Sequence, residues 1–275
     1  MRSDGDDTRG LEMTTDQTTL TNLRTSMNRF QSLVESLTEE QMAVRSLCPD
    51  WDVKGVILHV VGIEHILVDW LPQSEDEPPA FAAVGPFLAG HAGDDVAALK
   101  TLTAETFERR RANLADLSNA DLDRRCMSPV GPSTYGGFMA VRNFDIWVHH
   151  RDITTPLGLP SDDGGPSAEA ALDQVHHSLG YIVGKKVGLP DGMSITFDVG
   201  GPIERQMHVA VDGRAKVVPR LEGPPSVVIS TDLITFMQLA CGRLDPQAQI
   251  TAGTISWTGD QEWGREAASR LAFTM

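Results

Sequence analysis

Residues 55–63 of this 275-residue chain read GVILHVVGI, an almost wholly apolar run with one ionisable side chain, His59, at its centre. Asp50 and Asp52 precede the run, and such residues favour a helix N-terminus because their side chains accept its free N–H groups. On that helix His59 shares a face with Ile63 and other apolar residues, as the 3.6-residue repeat requires. We therefore predict that His59 faces the core, where an unpaired polar group costs about 1–3 kcal/mol and needs a partner.

The composition predicts an ordinary globular protein with an acidic surface. Hydrophobic residues make up 41% of the chain and charged residues 22%, so that a real core can form. The formal net charge is -15, which argues against nucleic acid and against anionic membranes as partners.

Cysteine usage and the lack of long apolar segments bear on location. The three cysteines, Cys48, Cys126 and Cys241, are widely spaced and form no CxxC motif. This spacing argues against a disulfide framework and a cysteine zinc finger, and it favours a reducing compartment. The first residues have no signal-peptide core, and no run reaches the ~20 apolar residues of a membrane helix. We predict a cytoplasmic protein.

Helical periodicity predicts four long helices in the N-terminal half. They cover about residues 14–38, 52–71, 93–117 and 135–151. Two irregular stretches, about 73–92 and 118–134, separate the later helices. Four long helices with two loose crossovers predict a four-helix bundle over residues 13–158. Residues 1–12 are polar and contain glycine, and we predict that they form a disordered extension.

A stretch rich in Pro and Gly, residues 156–166, predicts a domain boundary. After a helix over about 167–187, the remainder alternates strand-like and helical segments. Asp212-Gly213 lies between two of the strands and is a strong hairpin signal. We predict a smaller α+β domain over residues 166–275 with a mostly antiparallel sheet.

The fourth helix carries two potential metal ligands on one face. Asp145 and His149 are at i and i+4, hence neighbours on the helix surface. With His59 they make two imidazoles and one carboxylate, a set that gives zinc three protein ligands and an open position. Iron, nickel or manganese would also suit it. The rival His150 lies about 100° further round the helix, and Asp152 either orients an imidazole or caps the helix end.

Two segments resemble a known family. Residues 48–60, CPDWDVKGVILHV, and residues 145–153, DIWVHHRDI, are similar to segments of the mycothiol-dependent maleylpyruvate isomerase family, which belongs to the DinB-like metalloenzymes. Residues 231–243 and 257–262 resemble the sterol-carrier-like domain that often follows. The resemblance covers most of the chain beyond Met13. It implies a DinB-like four-helix bundle followed by a smaller α+β sterol-carrier-like domain.

The same resemblance implies that His59, Asp145 and His149 hold a divalent metal, with zinc as the expected ion. It also implies that the metal binds the thiol of mycothiol, a low-molecular-weight thiol of actinobacteria, as a thiolate. A free thiol has a pKa of about 8.5, and a metal-bound thiol is deprotonated. This chain departs from the family at Asp145, where Glu is usual, and it has no arginine in residues 73–95, where the isomerases carry a catalytic one.

We therefore predict a metal-dependent enzyme that uses mycothiol for S-transfer or conjugation to a small electrophile. Arg142 and Arg151 flank the three ligands and either bind a carboxylate of the thiol or substrate, or form surface salt bridges. Cys48 is either a reactive thiol or a buried structural cysteine. The alternatives are a mycothiol-dependent cis–trans isomerase of a maleylpyruvate-like acid, and a non-catalytic protein that binds an apolar ligand or senses a metal.

Overall fold

The computed structural model describes residues 8–76 and 78–274. The chain divides into two compact units, Met1–Ser161 and Asp162–Met275. The disordered extension predicted for residues 1–12 lies, in its first seven residues, outside the described part, and residues 8–12 belong to the first helix. None of the helices in the described ranges combines the length and the hydrophobicity needed to cross a membrane.

The first unit is built from helices. They are α1 (Thr8–Ser36), α2 (Glu39–Met42), α3 (Val53–Leu67), α4 (Val84–His91), α5 (Val96–Ala115), α6 (Asn119–Leu122) and α7 (Tyr135–Leu157). The four long helices form a bundle in which α1 and α3 each pack against both α5 and α7. Their apolar faces meet in a core whose largest aromatic members are Phe30, Phe107, Tyr135 and Phe138. The predicted four-helix bundle is confirmed.

Side-chain caps explain where three of these helices begin. Asp52 accepts the N–H of Gly55 at 2.7 Å, which identifies it, rather than Asp50, as the N-cap of α3. Asp95 caps α5 and Thr134 caps α7 in the same way. A capping side chain satisfies one of the N–H groups that the first turn leaves without a partner.

The structure differs from the sequence-based prediction in the two irregular stretches. Residues 84–91 form α4, which packs on α3, where Gly62 leaves room for Phe87 and Leu88. The second stretch contains α6 and a hairpin of two short strands, β1 (Arg125–Ser128) and β2 (Gly131–Thr134). Segments this short carry little periodicity, which is why the pattern missed them.

Helix α7 is longer than predicted because it continues through Pro156 to Leu157. A proline has no N–H to donate to the carbonyl four residues earlier, here that of Asp152. The freed carbonyl accepts the N–H of Leu47 instead, at 3.1 Å. Pro156 thus helps to attach the loop before α3 to α7.

The second unit combines helices with a five-stranded sheet. The strands are β3 (Ser194–Gly200), β4 (Arg205–Asp212), β5 (Arg214–Val218), β6 (Val227–Asp232) and β7 (Ile255–Gly259), in the order β5-β4-β3-β6-β7. All neighbours are antiparallel except β3 and β6. In the register, Phe197 lies opposite both Met207 and Ile229, and all three side chains are buried.

The helices of this unit are α8 (Pro166–Tyr181), which runs into a wider turn over Ile182–Val187, α9 (Leu233–Ala240), α10 (Pro246–Ala252) and α11 (Gln261–Ser269). Gly213 has a φ of 65° at the β4–β5 turn, a conformation that favours glycine. The predicted α+β class with a mostly antiparallel sheet is confirmed, and the short helix α10 was not predicted.

Candidate metal centre

Helices α3 and α7 bring the three predicted ligands together. The donor atoms of His59, Asp145 and His149 all lie within 4.8 Å of one another. The Nε2 atom of His149 is 3.6 Å from Oδ1 of Asp145. The imidazole rings of His59 and His149 have centroids 4.9 Å apart and planes inclined at 71°. The three side chains therefore converge on one point.

The site is partly open. The Asp145 side chain is 25% exposed, and the His149 side chain is 7% exposed. His59 is half-buried, so the prediction that its side chain faces the core is corrected. It lies at the edge of the bundle beside Trp51, whose ring centroid is 4.8 Å from that of His59.

Asp145 is held by an arginine on its own helix. Its Oδ2 atom accepts a hydrogen bond from Nη1 of Arg142 at 2.9 Å. Burial opposes ionisation of this carboxyl, but the charge of Arg142, followed by those of His149 and His59, lowers its pKa well below the usual range. Asp145 is thus an ionised carboxylate, the form that binds a metal.

His149 is oriented by a second carboxylate. Its Nδ1 atom donates to Oδ2 of Asp152 at 2.9 Å, and the Asp152 side chain is almost completely buried. Of the two roles considered for Asp152 from the sequence, orienting an imidazole or capping the helix end, the structure shows contact with an imidazole. When the ring is neutral, a hydrogen bond donated by Nδ1 leaves the Nε2 lone pair directed at the site, the arrangement that metal-ligating histidines use.

The charges around His149 also favour a proton on it. Burial alone lowers its pKa, but the Asp145 charge and the hydrogen bonds that the ring makes to Asp152 and Cys48 outweigh burial and raise the pKa of His149 to about 10. A metal bound to this imidazole would therefore displace a proton at neutral pH.

Cys48 completes a second cluster on the other side of His149. Its Sγ atom donates to Oδ2 of Asp152 at 3.1 Å and lies 3.8 Å from Nδ1 of His149. These three side chains are all buried and also have the spacing of metal ligands. They share His149 with the first group but use its opposite nitrogen. The sequence contained the CPDW segment but no signal that would place Cys48 against Asp152.

The other candidates identified in the sequence have different surroundings. His150 belongs to neither group of potential ligands found in the described part of the chain. The Arg151 guanidinium stacks on the Trp147 ring, 3.2 Å from its centroid, and Nη1 donates to the Trp147 carbonyl. Arg142 contacts Asp145 and a carboxylate that sequence reasoning missed, Glu64.

The donor set fits a divalent metal. Two imidazoles and one carboxylate are the protein ligands of one kind of catalytic zinc site, and the fourth position of such a site takes water or substrate. The fit rests on the spacing of the three donor groups, on the ionised Asp145 and on the orientation of His149 by Asp152.

Comparison with known proteins extends this picture. Residues 23–154 match the mycothiol maleylpyruvate isomerase N-terminal domain. Residues 169–266 match the MDMPI C-terminal domain, where MDMPI is the abbreviation used for the same isomerase. A comparison with the curated proteins finds no match.

Among solved structures, the chain is similar to one described as the mycothiol-dependent maleylpyruvate isomerase, and equally to a mutant of it. The TM-score is 0.62 at 17% identity, over 88% of this chain and 92% of that one. YfiT from Bacillus subtilis, described as a probable metal-dependent hydrolase, matches 58% of this chain and 94% of its own at 15% identity, with a TM-score of 0.42. At 17% identity the isomerase structure shows the fold alone, and the two domain models show the family. The chain belongs to the mycothiol-dependent maleylpyruvate isomerase family.

Proposed function

We propose that this protein is a metal-dependent enzyme that uses a low-molecular-weight thiol, mycothiol, for S-transfer or conjugation to a small electrophile. The single observation that carries the proposal is the convergence of His59, Asp145 and His149 at a partly open edge of the bundle. A divalent metal supplies positive charge there, which lowers the pKa of a thiol brought to it. Membership of the family supports an enzyme and the choice of thiol.

The side chains around the three ligands support such a site. Asp152 orients His149 so that Nε2 faces Asp145, and Arg142 holds the Oδ2 atom of Asp145. Trp51 lies beside both histidines, with its centroid 6.3 Å from that of His149, and provides an apolar wall. An apolar wall lowers the local dielectric and strengthens the interaction between a cation and a thiolate.

The surroundings of the arginines favour S-transfer over isomerisation. A maleylpyruvate-like acid carries carboxylates, which call for cationic partners. Residues 73–95 contain no arginine. Arg142 is committed to Glu64 and Asp145, and Arg151 is stacked on Trp147. That Arg142 or Arg151 binds a substrate carboxylate stays a prediction and would require these contacts to change.

A second candidate is cis–trans isomerisation, in which the thiol adds to a conjugated double bond and leaves again after rotation. The domain models and the similar solved structure, which is described as an isomerase, favour it. A non-catalytic protein that binds an apolar ligand or senses a metal is a third candidate. Zinc as the ion and a cytoplasmic location stay predictions.

The experiment starts with metal analysis of the purified wild type, His59→Ala and His150→Ala. The matched control His150 lies on α7 next to His149 but outside the ligand set. We expect one metal per chain in the wild type and the control and much less in His59→Ala. Equal metal content in all three would reject the site.

The metal-loaded protein is then given mycothiol with either an aryl halide electrophile or maleylpyruvate. With the aryl halide, we expect one thiol to be consumed for each thioether formed and each halide ion released. Isomerisation of maleylpyruvate without net consumption of thiol would instead support the second candidate. Bound metal with neither reaction and no binding of mycothiol in calorimetry would favour sensing.

A further inference from the structure

A buried ion-pair network lies in the interior of the bundle beside the candidate site. The carboxylate of Glu64, on α3, is completely buried. Its Oε2 atom accepts Nε–H of Arg110, on α5, at 3.0 Å, and its Oε1 atom accepts Nε–H of Arg142, on α7, at 2.7 Å. Both arginine side chains are buried as well. Three helices therefore contribute charged groups to one cluster.

The network reaches the site through Arg142. The Nη1 atom of this guanidinium donates to Oδ2 of Asp145 at 2.9 Å, whereas Nε is held by Glu64. Its Nη2 atom is buried without a hydrogen-bond partner among the described residues. Two carboxylates, one on each of two nitrogens, therefore determine how the planar guanidinium is oriented.

This arrangement treats the two oxygens of Asp145 differently. Oδ2 is bound to Arg142, and Oδ1 is the atom that lies 3.6 Å from Nε2 of His149. Without a fixed partner, a carboxylate that is one-quarter exposed would be able to rotate and present either oxygen or both. Arg142 leaves Oδ1 as the oxygen that faces the other ligands.

We propose that Glu64, acting through Arg142, is a positioning residue that holds Asp145 in one orientation with Oδ1 available to the metal. Glu64 keeps the guanidinium in place, and the guanidinium keeps Oδ2 in place. The inference rests on the metal centre of the proposed function, but it does not depend on which thiol or electrophile reacts there.

The simpler reading is that the network only ties three helices together. The two readings differ in what they predict for metal affinity. A network that is only structural changes the melting temperature when it is damaged and leaves the affinity for a metal as it was. If Glu64 and Arg142 position Asp145, damage to either of these two residues changes the affinity as well, because groups that orient metal ligands are typically worth about 10–100-fold in metal binding.

The test compares two conservative variants. Arg142→Lys keeps the positive charge, but a single ammonium group cannot hold Glu64 and Asp145 in the same fork. Arg110→Lys is the matched control, because Arg110 is equally buried and binds the same Glu64 but makes no hydrogen bond to Asp145. Glu64→Gln is a third variant that keeps the shape of the side chain and removes its charge.

The zinc Kd of each variant is measured by competition with a chromogenic chelator, and its Tm by circular dichroism. We expect Arg142→Lys and Glu64→Gln to raise the zinc Kd by about 10–100-fold. We expect Arg110→Lys to lower the Tm while the zinc Kd remains that of the wild type. The visible spectrum of the Co²⁺-loaded protein, which reports the ligand geometry, should change in Arg142→Lys and stay unchanged in Arg110→Lys.

A wild-type zinc Kd in Arg142→Lys, with the Tm lowered as in the control, would overturn the positioning role and leave the metal centre standing. An equal rise of the zinc Kd in Arg110→Lys would also overturn it, since the effect would then be one of general stability. A wild type that binds no zinc would reject the metal centre and this inference together. If Glu64→Gln does not fold, the comparison of the two lysine variants decides.

Discussion

The Nδ1 atom of His149 lies 2.9 Å from Oδ2 of Asp152, and the opposite nitrogen of the same ring faces Asp145. One imidazole thus connects two groups that have the spacing of metal ligands, one partly exposed and one buried. In the neutral imidazole, the carboxylate on the buried side determines that Nδ1 carries the hydrogen, and the lone pair of Nε2 then faces the partly exposed group.

Asp152→Asn should weaken zinc binding by about 10–100-fold, because an amide is a poorer acceptor for the Nδ1–H of His149 and orients the ring less firmly. The measurement is the zinc Kd by chelator competition. Asp116→Asn, at an exposed position at the end of α5, is the control and should bind zinc as the wild type does. Equal values in the two variants would contradict the orienting role of Asp152.

Cys48→Ser tests which nitrogen of His149 takes the metal. Serine keeps a hydrogen-bond donor to Asp152 but is a much poorer metal ligand than a thiolate. If the metal binds on the His59 side, as proposed, zinc content should stay at one per chain in Cys48→Ser and fall in His59→Ala. The reverse pattern would place the metal between Cys48, His149 and Asp152.

The metal-free protein should lose stability as the pH rises. The pKa of His149 in the folded chain is about 10, above its usual value of 6.5. A group whose pKa is raised by folding contributes stability that is complete below pH 6.5 and disappears as the pH approaches 10. The urea midpoint of the metal-free wild type should therefore fall across this interval, and that of His149→Gln should fall less.

Zinc should reverse part of this trend, because the metal competes with the proton on His149 and binds better as the pH rises. The increase in urea midpoint caused by saturating zinc should therefore be larger at the upper end of the interval. A zinc effect that is independent of pH would contradict a metal bound to this imidazole.

Gly264→Ala should destabilise the α+β unit. A Cβ atom at this position would lie 2.1 Å from Cδ1 of the Trp257 ring, so that the ring or helix α11 must move. Overpacking of this kind costs about 1–3 kcal/mol, which thermal unfolding detects. Gly223→Ala is the matched control, since a Cβ there meets nothing within 4 Å. Unchanged stability in both variants would show that the ring moves without cost.

The sequence allowed the local parts of this description to be predicted, because local features repeat along the chain. The helix period put Asp145 and His149 on one face, and the residues before the apolar run included the N-cap Asp52. The alternation of short strands and turns indicated the α+β class of the second half, which the structure confirms. The short helices α4, α6 and α10 were not predicted, because they span too few turns to show a helical period.

Tertiary structure alone decided which distant residues meet. Glu64 binds Arg110 across 46 positions and Arg142 across 78, and Cys48 binds Asp152 across 104. No periodic pattern encodes such pairs, since they depend on how α3, α5 and α7 pack and on the loop that Pro156 helps to attach. Spacing along the chain thus indicates the helices and places two of the three proposed ligands, Asp145 and His149, on one face. The packing of the helices brings His59 to them and adds the groups that orient Asp145 and His149.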